Sequence, residues 1–258
     1  MKNIFDFTGK VAVIIGASSG IGKATAVQFA ENGAKVAIFA RRMEKLEKVA
    51  EEIENNGGVV LPVECDATNE ASVKDAIEKV EKEFGRIDIL FNNAGVAVRG
   101  SVEELTEEEW DLSMNTNVKS AFLSSKYVVP IMRKQKYGKI INTASINAVL
   151  YDRVPELLRH SYNTSKAALL GLTRAMAANY MIDGITVNAI GPGLFETEMT
   201  KETLFAHEGF MKAYNMQNPA GRPGKLEEVV GTVMYLASDA SNYVTGTFIL
   251  VDGGLTLV

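Results

Sequence analysis

The chain has little of the chemistry that builds disulfides or metal centres. Its 258 residues include one cysteine, Cys65, and two histidines, His160 and His207. A lone cysteine has no internal disulfide partner, and so few soft ligands argue against a structural zinc site. We therefore expect no disulfide framework and no bound metal.

Long apolar runs and an excess of basic residues are missing as well. No run reaches the ~18 apolar residues of a membrane span, and the opening MKNIFDFTGK lacks the apolar region of a signal peptide. A net charge of −5 argues against nucleic acid, which binds to a basic face. These absences predict a soluble, cytoplasmic protein with neither a membrane nor a nucleic acid as partner.

What the chain has is an alternation of apolar, β-rich runs with helical patterns. The predicted strands are 10–16, 34–40, 58–65, 86–95, 138–145, 184–193 and 246–254. Helices are predicted between them, among them one long helix over about 106–135. Strands separated by helices of this length form a parallel sheet that is covered on both faces. No linker interrupts the pattern, so we predict a single α/β domain over 1–258 with about seven strands in a doubly wound sheet.

Glycine-rich and polar residues follow the predicted strands. Ligands of such sheets bind at the carboxyl ends of the strands, near the point where the strand order reverses. The candidate segments are Gly16–Gly22, Ala40–Arg42, Asp66, Asn92–Gly95, Ser145 and Pro192–Gly193. We therefore expect them to meet at one edge of the sheet.

The segment IIGASSGIGKAT ends the first strand and opens a helix. Gly16, Gly20 and Gly22 allow a tight turn and a close approach to a pyrophosphate, which the helix N-terminus attracts. The spacing G-x-x-x-G-x-G is weak as a pattern alone. The alternative is a turn that only packs the helix on the sheet. Its position at the first strand–helix junction favours dinucleotide binding.

The second strand is followed by Ala40, Arg41 and Arg42. An acidic residue at this point would bind a ribose 2′-hydroxyl, whereas guanidinium groups suit a 2′-phosphate. We therefore expect NADP(H) to be preferred, with NAD(H) possible. The alternative is that both arginines are solvated caps of the next helix.

The stretch SYNTSKAALLGL places Tyr162 and Lys166 four residues apart, on one face of a helix. No other of the eight tyrosines has a lysine at this spacing. The pair alone is a weak motif, and its interpretation depends on the other motifs of the chain.

Together the motifs resemble the classical short-chain dehydrogenase/reductase family, over almost the whole chain. The matching segments are GASSGIG (16–22), NNAG (92–95), Asn117 in NTNVKSAF, Ser145, YNTSK (162–166), NAIGPG (188–193), Thr197 and VDGG (251–254). The family's fold is a Rossmann-type sheet, and its activity is hydride transfer between a nicotinamide and a secondary alcohol or ketone. Family members are commonly homotetramers.

The resemblance implies roles for individual residues. It assigns catalysis to Ser145, Tyr162, Lys166 and Asn117, with Asn117 holding a water linked to Lys166. Besides the catalytic Tyr162 and Lys166, the cofactor contacts that it implies, taken with the loop analysis, are Gly16, Ser18, Ser19, Gly20, Ile21, Gly22, Arg41, Arg42, Asp66, Asn93, Ala94, Gly95, Pro192, Gly193, Phe195 and Thr197.

The spacing of Tyr162 and Lys166 suggests a mechanism. A free tyrosine has a pKa of ~10, and a nearby ammonium group lowers it. Tyr162 would then serve as acid or base near neutral pH, and Ser145 would donate a hydrogen bond to the developing alkoxide. We expect Lys166 also to reach the nicotinamide ribose.

Two departures from the family pattern are visible. Ile15 stands where the family usually has a threonine, and this suggests local repacking. The gap from Ser145 to Tyr162 is a few residues longer than usual, within 147–160. That loop brings Arg153 and Arg159 near the substrate, where either could meet a carboxylate.

The segment 194–218 is expected to be a substrate lid, and it is rich in Phe, Leu and Met. An apolar lid predicts a bulky substrate such as a hydroxysteroid. The alternatives are a 3-oxoacyl-thioester reductase, a sugar-acid dehydrogenase of the gluconate 5-dehydrogenase type, and a binding protein that senses NADP without turnover.

Overall fold

The computed structural model describes residues 4–258, and its described strands form one parallel sheet. The spatial order is β3-β2-β1-β4-β5-β6-β7, and every pairing is parallel. The strands are β1 Val11–Ile15, β2 Lys35–Ala40, β3 Val59–Glu64, β4 Ile89–Asn92, β5 Gly138–Thr143, β6 Ile185–Pro192 and β7 Phe248–Val251. The predicted Rossmann-type, single-domain α/β fold is confirmed.

Helices cover both faces of the sheet. They are α1 Gly20–Glu31, α2 Met43–Asn55, α3 Glu70–Phe84, α4 Glu107–Met114, α5 Ser120–Gln135, α6 His160–Tyr180, α7 Glu198–Thr200, α8 Glu208–Gln217 and α9 Leu226–Ala237. In α2 the buried side chains recur at helical spacing, at Leu46, Val49, Ala50 and Ile53. Such a stripe holds a helix against a sheet while its charged face stays in water. Among residues 4–258, no helix is long and apolar enough to cross a bilayer.

The core lies in two layers, one on each side of the sheet. Alternate residues of β1 serve the two layers: Ala12 and Ile14 join one cluster, whereas Val11, Val13 and Ile15 join the other. Because both faces of the strand are buried, its sequence is a continuous apolar run and does not alternate. This is why the strands could be found from composition.

The strand order reverses between β1 and β4. The chain runs outward from β1 through β2 to β3, then returns to β4 on the other side of β1. The crossover connections diverge at this point and leave a crevice at the carboxyl ends of the two strands, where α/β sheets bind ligands. The fold therefore places the loops after β1 and β4 side by side.

The predicted single helix over 106–135 is wrong in one respect. A π-helical segment, Asn115–Lys119, separates α4 from α5. Helix α4 begins with a capping box between Thr106 and Glu109, and the wide turn that ends it carries Asn117 inward, where 1% of the residue is exposed. A buried asparagine needs polar partners, and the wide turn lets it reach them.

Candidate active site

A cleft of about 450 Å³ opens at the carboxyl ends of the strands. It brings together segments that are far apart in sequence. The predicted residues on its walls are Gly16, Ser18, Ser19, Gly20, Ile21, Arg41, Arg42, Asp66, Asn93, Ala94, Gly95, Ser145, Tyr162, Lys166, Pro192, Gly193, Phe195 and Thr197. Two predicted residues, Gly22 and Asn117, do not line it.

The loop after β1 is shaped to hold an anion. Gly16 has φ +80°, and a Cβ there would lie 2.8 Å from the backbone of Ala94. Ser19 begins α1 without a side-chain capping bond, and the first turn of α1 has no acidic residue. A helix N-terminus without an acidic residue in its own first turn favours an anion such as a pyrophosphate.

Gly22 has a packing role. A Cβ at this position would lie 2.2 Å from the carbonyl oxygen of Gly16 and 2.7 Å from Nδ2 of Asn93. The glycine therefore lets α1 lie directly against the loop after β1. Its predicted cofactor contact stays a prediction.

Both arginines after β2 are exposed and line the cleft. Nη2 of Arg42 lies 3.1 Å from Oε2 of Glu198 and 3.4 Å from Oγ of Ser18. Arg42 begins α2 but makes no side-chain capping bond. Its guanidinium group is thus directed at the cleft and not at its own helix.

The loops after β3 and β4 supply fixed polar groups. Oδ1 of Asp66 accepts hydrogen bonds from the backbone N–H and the hydroxyl of Thr68, at 3.0 and 2.8 Å. The backbone bond, followed by other contacts, holds the pKa of Asp66 below its usual range. Nδ2 of Asn93 donates to the carbonyl of Gly16 at 3.1 Å, and its Oδ1 accepts from Thr143 at 3.3 Å. Asn93 therefore ties β5 and the phosphate loop to the end of β4.

Ser145 and Tyr162 both line the cleft, where the Ser145 hydroxyl lies close enough to act on the Tyr162 phenol. Ser145 follows β5, is buried, and accepts a hydrogen bond from the backbone N–H of Asn147 at 3.1 Å. Burial raises the pKa of Tyr162 and outweighs the lowering by the Ser145 hydrogen bond and the charge of Arg159. The phenol is accordingly protonated at neutral pH.

Lys166 is buried behind this pair. Its Nζ donates to the carbonyl oxygen of Thr143 at 2.7 Å and lies 5.6 Å from the centre of the Tyr162 ring. Burial lowers the pKa of Lys166 to about 7. The expectation that Lys166 lowers the pKa of Tyr162 is not met, because burial raises the pKa of the phenol and also weakens the charge of Lys166.

Asn117 lies behind the cleft wall, next to Thr116, which lines it. Its Nδ2 donates to the carbonyl of Val96 and to Oγ of Ser165 at 3.0 and 2.8 Å, and its Oδ1 accepts from the N–H of Val96 at 2.8 Å. The side chain thus joins the π-helical turn, the loop after β4 and α6. Its predicted water-holding role stays a prediction.

The segment 194–218 packs largely on itself. Leu194, Leu204 and Tyr214 are buried in a small cluster of their own, with Leu157, Phe205, Phe210, Met211 and Leu255 packed around it. Phe195 and Met199 line the cleft. Much of the apolar surface that suggested a bulky substrate is therefore used in packing.

Sequence reasoning missed two charged residues. Glu198 lines the cleft, and its carboxylate pairs with Arg42 and Lys45. The partners are separated by 156 and 153 positions. No local pattern reveals a contact of this kind, because only the fold brings α7, which follows β6, to the residues after β2.

A Rossmann-type sheet with a phosphate loop, a Ser–Tyr pair and a buried lysine at the switch point defines a dinucleotide-dependent oxidoreductase. A family model described as enoyl-(acyl carrier protein) reductase matches residues 16–256. The chain belongs to the classical short-chain dehydrogenase/reductase family and is an oxidoreductase acting on CH–OH groups.

Named relatives cover the chain nearly end to end. Gluconate 5-dehydrogenase of Gluconobacter oxydans is 36% identical over 99% of this chain and 98% of its own. A 3-oxoacyl-(acyl-carrier-protein) reductase of Thermotoga maritima is 39% identical over 96% of this chain and 98% of its own. The solved structure of a gluconate 5-dehydrogenase from Burkholderia cenocepacia J2315, in complex with NADP and tartrate, has a TM-score of 0.93, 34% identity and 98% coverage of both chains.

Proposed function

We propose that the protein interconverts a secondary alcohol and a ketone by hydride transfer with NADP(H). The observation that carries this proposal is the placement of Ser145, Tyr162 and the buried Lys166 together in the wall of the cleft that begins with the glycine-rich loop after β1. The cofactor fits the residues present, because the N-terminus of α1 and two arginines suit its phosphates. The roles of the predicted site residues are part of the proposal.

When bound, the nicotinamide supplies or accepts the hydride. Tyr162, which is protonated at neutral pH, donates its proton to the carbonyl oxygen during reduction. The hydroxyl of Ser145 donates a hydrogen bond to the same oxygen as negative charge develops on it. Lys166, with a pKa of about 7, holds a proton that is readily exchanged near neutral pH, and we propose that it also binds the nicotinamide ribose.

For the substrate we propose a bulky secondary alcohol or ketone, such as a hydroxysteroid. Phe195 and Met199 support this by lining the cleft, and Tyr151 is 63% exposed on the elongated loop. The same proposal treats 194–218 as a lid. The other apolar side chains of the segment pack on one another.

A sugar acid is the second candidate, and Arg159 favours it. This residue directly precedes α6, and its charge acts on the Tyr162 phenol. Its Nε donates to the carbonyl of Leu157 at 3.0 Å and lies 3.7 Å from Asp152. Gluconate dehydrogenases stand among the relatives and the solved structures, and 3-oxoacyl-thioester reductases give the third candidate.

A kinetic panel tests these substrates. It compares a steroid ketone, a 3-oxoacyl thioester and a keto-sugar acid, each with NADPH. The main proposal expects the steroid ketone to have the highest kcat/KM. An advantage of about tenfold or more for the keto-sugar acid would overturn it. NADPH binding without turnover of any ketone would favour the sensing protein. A cytoplasmic location and a homotetramer remain predictions, and gel filtration tests the second.

A further inference from the structure

Glu198 lines the cleft, and its carboxylate contacts Arg42 and Lys45. It comes from α7, directly after the cofactor-facing Thr197, and reaches the corner between β2 and α2. Its Oε2 accepts from Nη2 of Arg42 at 3.1 Å, and its Oε1 contacts Nζ of Lys45. These bonds and one from Ser19 hold the pKa of Glu198 at about 2, so the group is ionised at neutral pH.

The partners of Glu198 are groups of the phosphate site. Ser19 ends the phosphate loop, and Arg42 is one of the two arginines at the end of β2. Oγ of Ser18 lies 3.4 Å from the same Nη2 of Arg42. Hydroxyl, guanidinium and ammonium groups that converge on one point form a receptor for an anion. A carboxylate of the chain itself, that of Glu198, lies at that point.

We propose that Glu198 is an internal counter-ion of an anion site formed by Ser19, Arg42 and Lys45, and that the 2′-phosphate of NADP(H) displaces it. The inference rests on the proposed use of NADP(H) and adds two residues to it. Lys45 becomes a third cationic group of the phosphate site, and Glu198 becomes a determinant of cofactor choice.

The displacement affects the two cofactors differently. A 2′-phosphate brings negative charge to Arg42 and Lys45, so it must break their pairs with Glu198 before it forms its own. A 2′-hydroxyl brings no charge and leaves those pairs in place. Glu198 therefore weakens the binding of NADP(H) but not of NAD(H). Breaking the pairs also releases α7 from the β2–α2 corner.

Binding measurements with small probes test the displacement without turnover. Isothermal titration would compare adenosine 2′-monophosphate, adenosine 5′-monophosphate, NADPH and NADH on the wild type and on Glu198→Gln. The pairs are half exposed, with 49% of the Glu198 side chain accessible, and such pairs are weak. We expect 2′-monophosphate and NADPH to bind roughly three- to tenfold more tightly to the variant. The 5′-monophosphate and NADH should change less than about twofold.

A control lies two residues away in the same segment. Glu196 is 60% exposed and only 4.0 Å from Lys201, with no contact to Arg42 or Lys45. Glu196→Gln removes the same charge from the segment and should leave all four affinities unchanged. Equal tightening in both variants would show a general charge effect and overturn the displacement.

A second variant tests Lys45 directly. Lys45→Met should weaken NADPH and the 2′-monophosphate by roughly three- to tenfold and leave NADH unchanged. If the wild type binds the 2′-monophosphate but Glu198→Gln does not tighten it, the inference alone fails. If the wild type prefers NADH and ignores the 2′-monophosphate, the proposed cofactor choice fails.

Discussion

Nζ of Lys166 donates a 2.7 Å hydrogen bond to the carbonyl oxygen of Thr143, the last residue of β5. The lysine is thereby fixed from α6 to the end of a central strand, in the wall of the cleft. A Cβ at Gly95 would lie 3.3 Å from this Nζ and 3.1 Å from Oδ1 of Asn117. The loop after β4 can pass between the two side chains because its residue there is a glycine.

Replacing Tyr162 by phenylalanine should abolish most turnover and keep cofactor binding. The variant loses the only phenolic proton next to Ser145, and loss of a general acid costs roughly 10²- to 10⁴-fold in kcat. NADPH fluorescence titration and steady-state ketone reduction measure the two effects separately. More than a third of the wild-type kcat would show that Tyr162 is not the acid.

Gly22→Ala should destabilise the fold by about 1–3 kcal/mol, because its Cβ overlaps the carbonyl oxygen of Gly16. Cofactor affinity should fall as well, since Gly16 must move. Gly209→Ala is the matched control: it lies in α8 with no atom within 4 Å of its Cβ, and should change stability by at most about 0.5 kcal/mol. Urea denaturation of both variants decides the matter, and equal midpoints would contradict the packing role.

Lys139→Met should stabilise the protein below about pH 8. Lys139 is 1% exposed, its Nζ lies 3.3 Å from Oγ of Ser241, and burial lowers its pKa to about 8. The unfolded chain, with the ordinary value of 10.5, binds the proton more strongly between these values. The free energy of unfolding of the wild type therefore rises with pH from about 8 to 10.5.

The methionine variant lacks this contribution. It should be more stable by about 3 kcal/mol at pH 7, and the difference should shrink as the pH approaches 10. Lys166, whose pKa is about 7, adds a rise of the same sign that both proteins retain. Urea denaturation at several pH values measures the slopes. Parallel curves for the two proteins would refute the assignment.

The double variant Arg41→Ala and Arg42→Ala should bind NADPH more weakly and NADH nearly as well as the wild type. Each charge-assisted contact to a 2′-phosphate contributes about 1.5–3 kcal/mol. Arg153→Ala, an exposed arginine outside the cleft wall, serves as control. Equal use of both cofactors by the wild type would refute the arginine argument.

The predictable parts of the fold are those that depend on short segments of the sequence. β1 is an unbroken apolar run because both faces are buried, and Gly16 follows it because the backbone there needs a positive φ. The cleft residues at strand ends follow from the parallel sheet itself. The segment 86–95 was predicted as a strand that runs into a turn, and its paired part is Ile89–Asn92.

The parts that were not predictable depend on tertiary contact. Glu198 has its partners more than 150 residues away. The pKa of Tyr162 is raised mainly by burial of the phenol. The four-residue spacing of Tyr162 and Lys166 does not indicate how deeply either side chain is buried. The segment 194–218 has the apolar composition of a binding surface. Leu204 and Tyr214, however, are buried in one cluster within it.

Because of the π-helical turn at Asn115–Lys119, the number of residues between α4 and α5 is more strictly constrained than the identity of those residues. Removing one residue would restore a regular α-helix and rotate α4 by about 100° relative to α5. Oγ of Ser113 would then turn away from Oγ of Ser161, which it now contacts at 2.8 Å in the interior. Substitutions at exposed positions of α4 are compatible with the fold, whereas a single deletion between Ser113 and Ser120 would uncouple α4 from the helix that carries Tyr162.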